Sequence, residues 1–291
     1  MKDKKTRSIR VAIGSTCSLP GQWEHNIEQI AQLAKRARIN DCQLLLTPEM
    51  SATGYGGYEE VIALAEPQGK GPIFASLKQI AKSTGVILCA GYVERFRERN
   101  HIAHYAVFPD GSYISQRKHR ATPAEHPLQP GVELYYDGSE EIGQVKPTDI
   151  HFELFEVQGV RCAIVVCADL GIAQLPDKLR QLEVDLMLLP VGAGGKREDR
   201  VSLQELTTPQ GIAKYQQFLT QSSLPQAGAI ECLQYHRATV AVNMHGFDGK
   251  ERYHGGSGSI VSAQGQIKAY TPGTPIIELQ KPEFVYAELE F

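Results

Sequence analysis

Cys42-Gln-Leu-Leu-Leu-Thr-Pro-Glu49 is an apolar run that ends abruptly in proline and glutamate. A continuous apolar run suits a strand that is buried on both faces, as in a parallel sheet covered by helices. The preceding sequence agrees, because it predicts a strand at residues 9–13 and a helix at residues 23–37. A second helix is predicted to begin at Pro72 and to end at Gly85. This alternation of strand and helix predicts an α/β layered fold.

The remainder of the chain is richer in strands than in helices. Gln158-Gly159 is a turn signal inside one long apolar stretch. No internal repeat and no linker divides the sequence, so we expect a single domain over residues 1–291. Strands are predicted at residues 86–93, 102–108, 113–117, 152–166, 186–191, 239–242, 259–262 and 284–289, and helices at residues 175–182 and 212–219.

Composition excludes several classes of protein. The 291 residues include 30 Lys and Arg against 33 Asp and Glu, a formal net charge of −3, so no nucleic-acid partner is expected. No apolar run approaches the roughly 18 residues that a membrane span requires, so no membrane partner is expected. The charged N-terminus is interpreted as a soluble tail, and the six cysteines contain no C-x-x-C pair. We therefore expect a reduced cytoplasmic protein.

Three chemically capable residues follow predicted strands. Glu49 follows the run at residues 44–48, Lys118 follows residues 113–117, and Cys167 follows residues 163–166. Layered α/β proteins place reactive groups at the ends of strands. Each residue alone has an ordinary structural explanation: a capping carboxylate, a solvated basic cluster and a buried core thiol. The three together favour a catalytic site.

Other clusters carry weaker signals. His101, His104, His245 and His254 lack the additional convergent ligands that a zinc site requires, so no metal is expected. A cysteine–histidine hydrolase stays open as an alternative, because any of the nine histidines could approach Cys167 in space.

The order of motifs resembles the nitrilase superfamily, the carbon–nitrogen hydrolases. Thr47-Pro-Glu-Met-Ser-Ala-Thr-Gly-Tyr55 is similar to the first signature, and Arg117-Lys-His119 to the second. Gly159-Val-Arg-Cys-Ala-Ile-Val-Val-Cys-Ala-Asp169 is similar to the third. Asn243-Met-His-Gly246 and Gly255-Gly-Ser257 match late blocks, so the resemblance covers nearly the whole chain.

The resemblance implies an α-β-β-α sandwich, in which two mixed sheets lie between helix layers, and it implies thiol chemistry. Cys167 would attack the carbonyl carbon, and Glu49 would move the protons. Lys118 and the backbone N–H of Ala168 would stabilise the oxyanion, and Glu125 would be the supporting carboxylate. No metal or organic cofactor is implied. Members commonly self-associate, so a homo-oligomer is expected.

The chain also departs from the amidase-like members of the family. Those members often carry an arginine four residues after the cysteine, followed by Phe-Pro-Glu, whereas this chain has Gly171-Ile-Ala-Gln174. Recognition of a substrate carboxylate by this loop is therefore not expected. An insertion of about 22 residues near residues 192–228 suggests a binding loop, a lid or an oligomer contact. Tyr55, Gly171, Gln174 and Gly192 are candidate pocket residues.

The expected activity is hydrolysis of a small carboxamide or N-carbamoyl compound through a cysteine thioester, with release of ammonia. The small-molecule amide is then the expected partner. One alternative is a nitrilase that converts a nitrile to an acid. The other alternative is a non-hydrolytic relative that transfers acyl groups or binds a partner.

Overall fold

The computed structural model describes residues 7–129, 134–135, 144–145, 150–221, 237–279 and 281–291. Five α-helices occur in these residues: α1 Trp23–Ile39, α2 Glu59–Ile62, α3 Pro72–Thr84, α4 Leu175–Gln181 and α5 Pro209–Gln221. The strands are β1 Ser8–Gly14, β2 Leu44–Leu46, β3 Glu66–Pro67, β4 Ile87–Phe96, β5 Arg99–Val107, β6 Tyr113–Arg117, β7 Leu134–Tyr135, β8 Gln144–Val145, β9 Leu154–Val157, β10 Val160–Ile164, β11 Leu186–Val191, β12 Gly194–Gly195, β13 Ala238–Asn243, β14 His245–Phe247, β15 Tyr253–Gly255, β16 Ser257–Val261, β17 Ile267–Pro272 and β18 Phe284–Glu290.

Two large mixed sheets organise these strands, and both have a parallel centre. The first sheet has the order β18-β1-β2-β4-β5-β6, with β3 paired to β4. The second has the order β17-β16-β13-β11-β10-β9. Strands β1, β2 and β4 are parallel in the first sheet, as are β10, β11 and β13 in the second. Antiparallel strands flank both centres, and a smaller sheet has the order β12-β15-β14.

The sheets pack face to face, and helices cover the first sheet from outside. One core cluster joins residues such as Ile13 and Leu46 of the first sheet to Ile164 and Leu188 of the second. Alternate side chains on the first sheet, such as Leu45, pack instead with residues of α1 and α3. Helix α4 packs Leu175 and Leu179 into the core beside the second sheet. The predicted sandwich of two mixed sheets with helix layers is confirmed.

Most predicted elements lie within two or three residues of the observed ones. The helix after Gly71 begins with Pro72 and ends at Gly85, which has a φ of 71°. The stretch predicted at residues 152–166 divides into β9 and β10, because Gln158 and Gly159 both have positive φ values in the turn between them. The run at residues 42–49 contributes only the strand Leu44–Leu46, since Pro48 has no N–H to donate to a ladder.

The sequence patterns missed the small sheet and several short helical turns. Strand β12 belongs to the segment at residues 192–221, which also contains two 3-10 turns and α5. The rest of the expected insertion, at residues 222–228, lies outside the described residues, as does Cys232. Within the described part of the chain, none of the helices has the length and hydropathy needed to cross a membrane.

Candidate active site

Cys167 stands at a sharp turn directly beyond β10. The strand ends at Ile164, and a 3-10 turn runs from Cys167 to Gly171. Cys167 has a φ of 48°, a left-handed conformation that is unfavourable for a residue with a side chain. Such strain is maintained only where the surrounding structure enforces it, and it concentrates at functional sites. The side chain is buried, with 8% of the residue exposed.

Glu49 and Lys118 are brought together from an interior strand and an edge strand of the first sheet. Glu49 follows β2, and Lys118 follows the edge strand β6, where its N–H donates to the carbonyl oxygen of Ile102. The ammonium Nζ of Lys118 lies 2.8 Å from Glu49 Oε1. Both side chains are almost completely buried, so this is an ion pair in a low-dielectric interior.

Glu125 completes a triad of charges around the same ammonium. Its Oε1 atom lies 2.5 Å from Lys118 Nζ and accepts a hydrogen bond of 2.7 Å from the Tyr55 hydroxyl. Its Oε2 atom accepts the backbone N–H of Thr122 at 2.8 Å, in a capping box that fixes the 3-10 turn Pro123–Glu125. Glu125 therefore holds Lys118 and Tyr55 in fixed positions relative to one another.

Burial dominates the protonation equilibria of the site. Burial raises the pKa of Glu49 to about 7, although the positive charge of Lys118 acts to lower it. Burial also raises the pKa of the Cys167 thiol, and the negative charge of Glu49 raises it further. Burial by itself lowers the pKa of Lys118, but Glu49, Cys167 and Glu125 outweigh it and hold that pKa well above its ordinary value. Glu49, Lys118 and Cys167 each influence the pKa values of the other two, so the thiol lies within electrostatic range of the charged groups.

Gly192 closes the site from the end of β11. A Cβ atom at this position would lie 2.4 Å from Tyr55 Cδ2 and 3.0 Å from Glu49 Oε2, so only glycine fits. The Gly192 backbone is also one of the groups that lower the pKa of Cys167. The structure thus places two predicted pocket residues, Tyr55 and Gly192, beside Glu49. Ala168 is the second residue of the 3-10 turn that Cys167 begins.

The other two pocket candidates lie at the end of the cysteine turn and immediately before α4. Gly171 faces the Arg120 guanidinium, since a Cβ there would lie 2.8 Å from Arg120 Nη1. Gln174 lines a surface hollow together with Asp177 and Lys178. The roles of Gly171 and Gln174 as pocket residues stay predictions.

Asp169 joins the cysteine turn to the lysine loop, a role that the sequence analysis missed. Its Oδ2 atom accepts the backbone N–H of His119 at 3.0 Å and lies 3.0 Å from the ring nitrogen Nδ1 of the same residue. Its Oδ1 atom accepts the N–H of Arg120 at 2.8 Å. Asp169 is fully buried. One side chain therefore connects the turn that contains Cys167 to the residues immediately after Lys118.

Replacing Asp169→Asn should destabilise the protein by about 1–3 kcal/mol, because an amide cannot accept at both positions and leaves a buried donor unsatisfied. Urea unfolding followed by circular dichroism measures this loss. Asp177→Asn is the matched control, since its ion pair with Arg180 is exposed and should contribute less than about 1 kcal/mol. An Asp169→Asn protein as stable as the control would contradict the role of Asp169 as a connection between the two loops.

Two buried histidines, His104 and His254, contact backbone oxygens. His104 Nε2 lies 3.1 Å from the carbonyl oxygen of Thr47, and His254 Nδ1 lies 3.1 Å from that of Ala193. Among the described residues, no histidine is one of the main influences on the pKa of Cys167, whereas Glu49 and Lys118 are. Among the residues described by the structure, no three potential ligands cluster as a metal site would require.

Comparison with known proteins places this architecture in a family. The carbon-nitrogen hydrolase family model matches residues 10–276. A protein of Pyrococcus abyssi named nitrilase is 26% identical over 148 residues, which are 50% of each chain. A Pseudomonas protegens protein named "Hydrolase in pqqF 5'region" is 27% identical over 63% of this chain and 59% of its own. The chain therefore spans only about half to three-fifths of the length of these curated relatives.

A solved structure extends the similarity across the fold. A mutant of the Nesterenkonia AN1 amidase, from the nitrilase superfamily, superposes with a TM-score of 0.74 at 18% identity and covers 98% of this chain and 92% of its own. The amidase was also solved in complex with butyramide, with a TM-score of 0.72, 19% identity and coverage of 97% and 90%. At these identities the superposition shows the fold alone. Because the family model spans most of the sequence, this chain belongs to the carbon-nitrogen hydrolase family.

Proposed function

We propose that this protein is a thiol amidase that hydrolyses the C–N bond of a small carboxamide or N-carbamoyl compound and releases ammonia. The observation that supports this best is the buried arrangement of Glu49, Lys118 and Glu125, joined at 2.8 and 2.5 Å and electrostatically coupled to Cys167. The arrangement provides a nucleophile, a proton shuttle and a cation, which are the three elements that amide hydrolysis requires.

In the first half of the proposed reaction, the Cys167 sulfur attacks the carbonyl carbon while Glu49 accepts the thiol proton. A base is needed because burial raises the pKa of this thiol, which is therefore protonated at neutral pH. The resulting tetrahedral oxyanion is stabilised by Lys118 and the Ala168 N–H. Glu49 then donates its proton to the leaving nitrogen, the C–N bond breaks, and ammonia departs from the thioester.

In the second half, Glu49 accepts a proton from water as the water oxygen attacks the thioester carbon. The tetrahedral intermediate collapses with cleavage of the C–S bond, and the proton on Glu49 returns to the sulfur. One amide and one water thus give one acid and one ammonia, and Cys167 and Glu49 return to their starting states. Glu125 acts through Lys118 and Tyr55, which it holds in place.

The pH dependence of kcat/KM follows from Glu49. Because burial raises the pKa of Glu49 to about 7, its proton persists to neutral pH and the basic form is lost as the pH falls below that value. We expect kcat/KM for butyramide to fall about tenfold per pH unit below an apparent pKa near 7 and to level off above it. Initial rates from pH 5 to 9 measure this, with circular dichroism at each pH to exclude unfolding. A flat profile between pH 5 and 8 would rule out Glu49 as the base.

Ammonia release from a panel of amides, N-carbamoyl compounds and nitriles tests the proposed function. We expect release from at least one amide or carbamoyl compound. Turnover of nitriles alone would favour the nitrilase alternative, which is also the name of the Pyrococcus relative. Release from none of the panel would favour the non-hydrolytic alternative. Self-association and a cytoplasmic location also remain proposals, and light scattering of the purified protein tests the former.

A further inference from the structure

A half-buried arginine lies beside the proposed site without a partner for its charge. Arg252 follows the turn between β14 and β15, and its guanidinium carbon lies 5.6 Å from the centroid of the Tyr55 ring. The hydroxyl of the same ring is bonded to Glu125 at 2.7 Å. The Arg252 side chain makes no hydrogen bond or ion pair with the described residues. The guanidinium is therefore separated from the catalytic carboxylates by one aromatic side chain.

The neighbours of Tyr55 place Arg252 beside the site. Arg252 immediately precedes β15, and His254 is the second residue of that strand. His254 also packs against Tyr55, edge to face, with the ring centroids 6.0 Å apart. The positive charge of Arg252 also acts to lower the pKa values of His254 and Tyr58. The guanidinium thus lies among Tyr55, Tyr58 and His254.

The other cations of this region are already engaged. Lys250, two residues earlier, forms an ion pair of 2.5 Å with Glu60. Arg200 donates to the carbonyl oxygen of Tyr253 at 2.6 Å and stacks over Phe218. Among these three, Arg252 alone has no polar partner for its side chain within the described structure.

Two carboxylates of the hairpin are close to Arg252 in sequence, and Asp248 accepts hydrogen bonds from the turn. Asp248 Oδ1 accepts the backbone N–H groups of Lys250, Glu251 and Arg252 at 2.8 to 3.0 Å. Its other oxygen is buried without a hydrogen-bond partner, and no ion pair joins it to Arg252. Glu251 accepts the Tyr58 hydroxyl at 3.3 Å. The fork of N–H donors on Arg252 is therefore available to a planar anion such as a carboxylate.

A second polar atom beside Tyr55 also lacks a partner. His254 Nδ1 bonds to the carbonyl oxygen of Ala193, which leaves Nε2 as an acceptor, and this buried Nε2 has no hydrogen bond within the described residues. Burial lowers the pKa of His254 to about 4, so the ring is neutral at pH 7. A buried acceptor without a donor is costly unless a ligand supplies one. This acceptor calls for an N–H or O–H donor, which a carboxylate lacks, so Arg252 alone carries the argument for an anion.

The charge balance of the site makes such a cation useful. With Glu49 ionised, the two carboxylates and Lys118 carry a net charge of −1 around the reaction centre. A substrate carboxylate would be repelled by that charge unless a cation offset it. The loop after Cys167 provides none, because Gly171-Ile-Ala-Gln174 is neutral. Arg252 comes from a different element and can provide it.

We infer that Arg252 binds a carboxylate of the substrate, so that the preferred substrate is a carboxamide whose acyl chain ends in a carboxylate, such as a monoamide of a dicarboxylic acid. This inference rests on the proposed amidase function and specifies its substrate class. N-carbamoyl amino acids carry the same two groups, and the test below includes one.

Succinamate and butyramide form a matched pair of probes, because a carboxylate in one replaces a methyl group in the other. We expect the ratio of kcat/KM for succinamate to that for butyramide to be about ten or more in the unaltered protein. Arg252→Gln should lower this ratio about tenfold, and Arg252→Lys should retain part of it, because lysine keeps the charge and loses the fork. N-carbamoylglycine, assayed beside propylurea, shows whether a carbamoyl group is preferred to the amide.

Lys250→Gln is the matched control, since it removes the same charge from the same turn at a residue already paired with Glu60. The ratio should change less than about twofold in this variant. A ratio that is unaffected by Arg252→Gln, or that falls equally in Lys250→Gln, would overturn the inference.

Binding measurements separate this inference from the proposed function. Calorimetric titration of Cys167→Ser with succinamate and with butyramide reports the carboxylate preference without turnover. A preference that disappears in Cys167→Ser/Arg252→Gln supports the Arg252 subsite even if no ammonia is released. Ammonia release without any such preference supports the amidase and overturns the subsite.

Discussion

Cys167→Ser should lower kcat/KM for butyramide by about a thousandfold or more while the protein remains folded. Serine occupies nearly the same volume, so the buried turn at Cys167 and its φ of 48° should persist. The hydroxyl is a much poorer nucleophile than the thiol when the available base has a pKa of about 7. Ammonia release measures the loss, and thermal unfolding measures the integrity of the fold.

Cys17→Ser is the matched control for this substitution. Cys17 is a half-buried thiol at the small sheet that donates to the carbonyl oxygen of Phe247, a contact that serine can keep. We expect its kcat/KM to remain within about twofold of the unaltered protein, because surface substitutions away from special features have small effects. If Cys167→Ser kept full activity, the proposed nucleophile would be wrong.

Lys118→Met should impair both activity and stability. Losing the oxyanion cation should reduce kcat by about a hundredfold to a thousandfold. The change also leaves the carboxylates of Glu49 and Glu125 buried without their shared cation, which should cost about 3–5 kcal/mol of the free energy of unfolding at pH 7. Lys82→Met, at an exposed lysine of α3, should change stability by less than about 0.5 kcal/mol.

The loss of the free energy of unfolding caused by Lys118→Met should grow as the pH rises; this loss is called the deficit below. Lys118 lowers the pKa of Glu49, so its removal raises that pKa further above the unfolded value of 4.5. A carboxyl whose pKa is raised by folding opposes folding above its unfolded pKa, so the deficit should be small near pH 4 and grow as the pH rises.

Urea unfolding between pH 4 and 8 measures this trend. Adding Glu125→Gln to Lys118→Met removes one unpaired charge and should restore part of the stability but none of the activity. A stability loss that is independent of pH, or a double variant less stable than the single one, would contradict the charge arrangement.

Residues directly after strands were predictable from the sequence. Glu49 and Cys167 each follow a strong apolar run, Lys118 follows a more polar strand, and the strand pattern alone places all three after strands. The resemblance added Glu125 and Tyr55, and the structure shows these two joined by a hydrogen bond. The predicted roles of these residues stay predictions until the variants are assayed.

Long-range contacts were beyond the reach of sequence patterns. Asp169 lies two residues after Cys167, but its partners are 49 and 50 residues away in sequence, at Arg120 and His119. Arg252 and Tyr55 meet only because the β14–β15 hairpin packs over the loop after β2. Neither short strand contains enough residues for a period to be recognised. In the sequence, Arg252 was simply one more charge near a glycine-rich turn.

The proposed amide hydrolysis depends on a thioester on Cys167. 4-Nitrophenyl butyrate tests it directly, because nitrophenolate leaves faster than ammonia and the acyl-enzyme therefore accumulates before water attacks. Acid quenching followed by intact-mass measurement and peptide mapping identifies the acylated residue. We expect one butyryl group on the peptide that contains Cys167 and none in Cys167→Ala. Hydrolysis of the ester with no adduct on Cys167, or with the butyryl group on another residue, would contradict it.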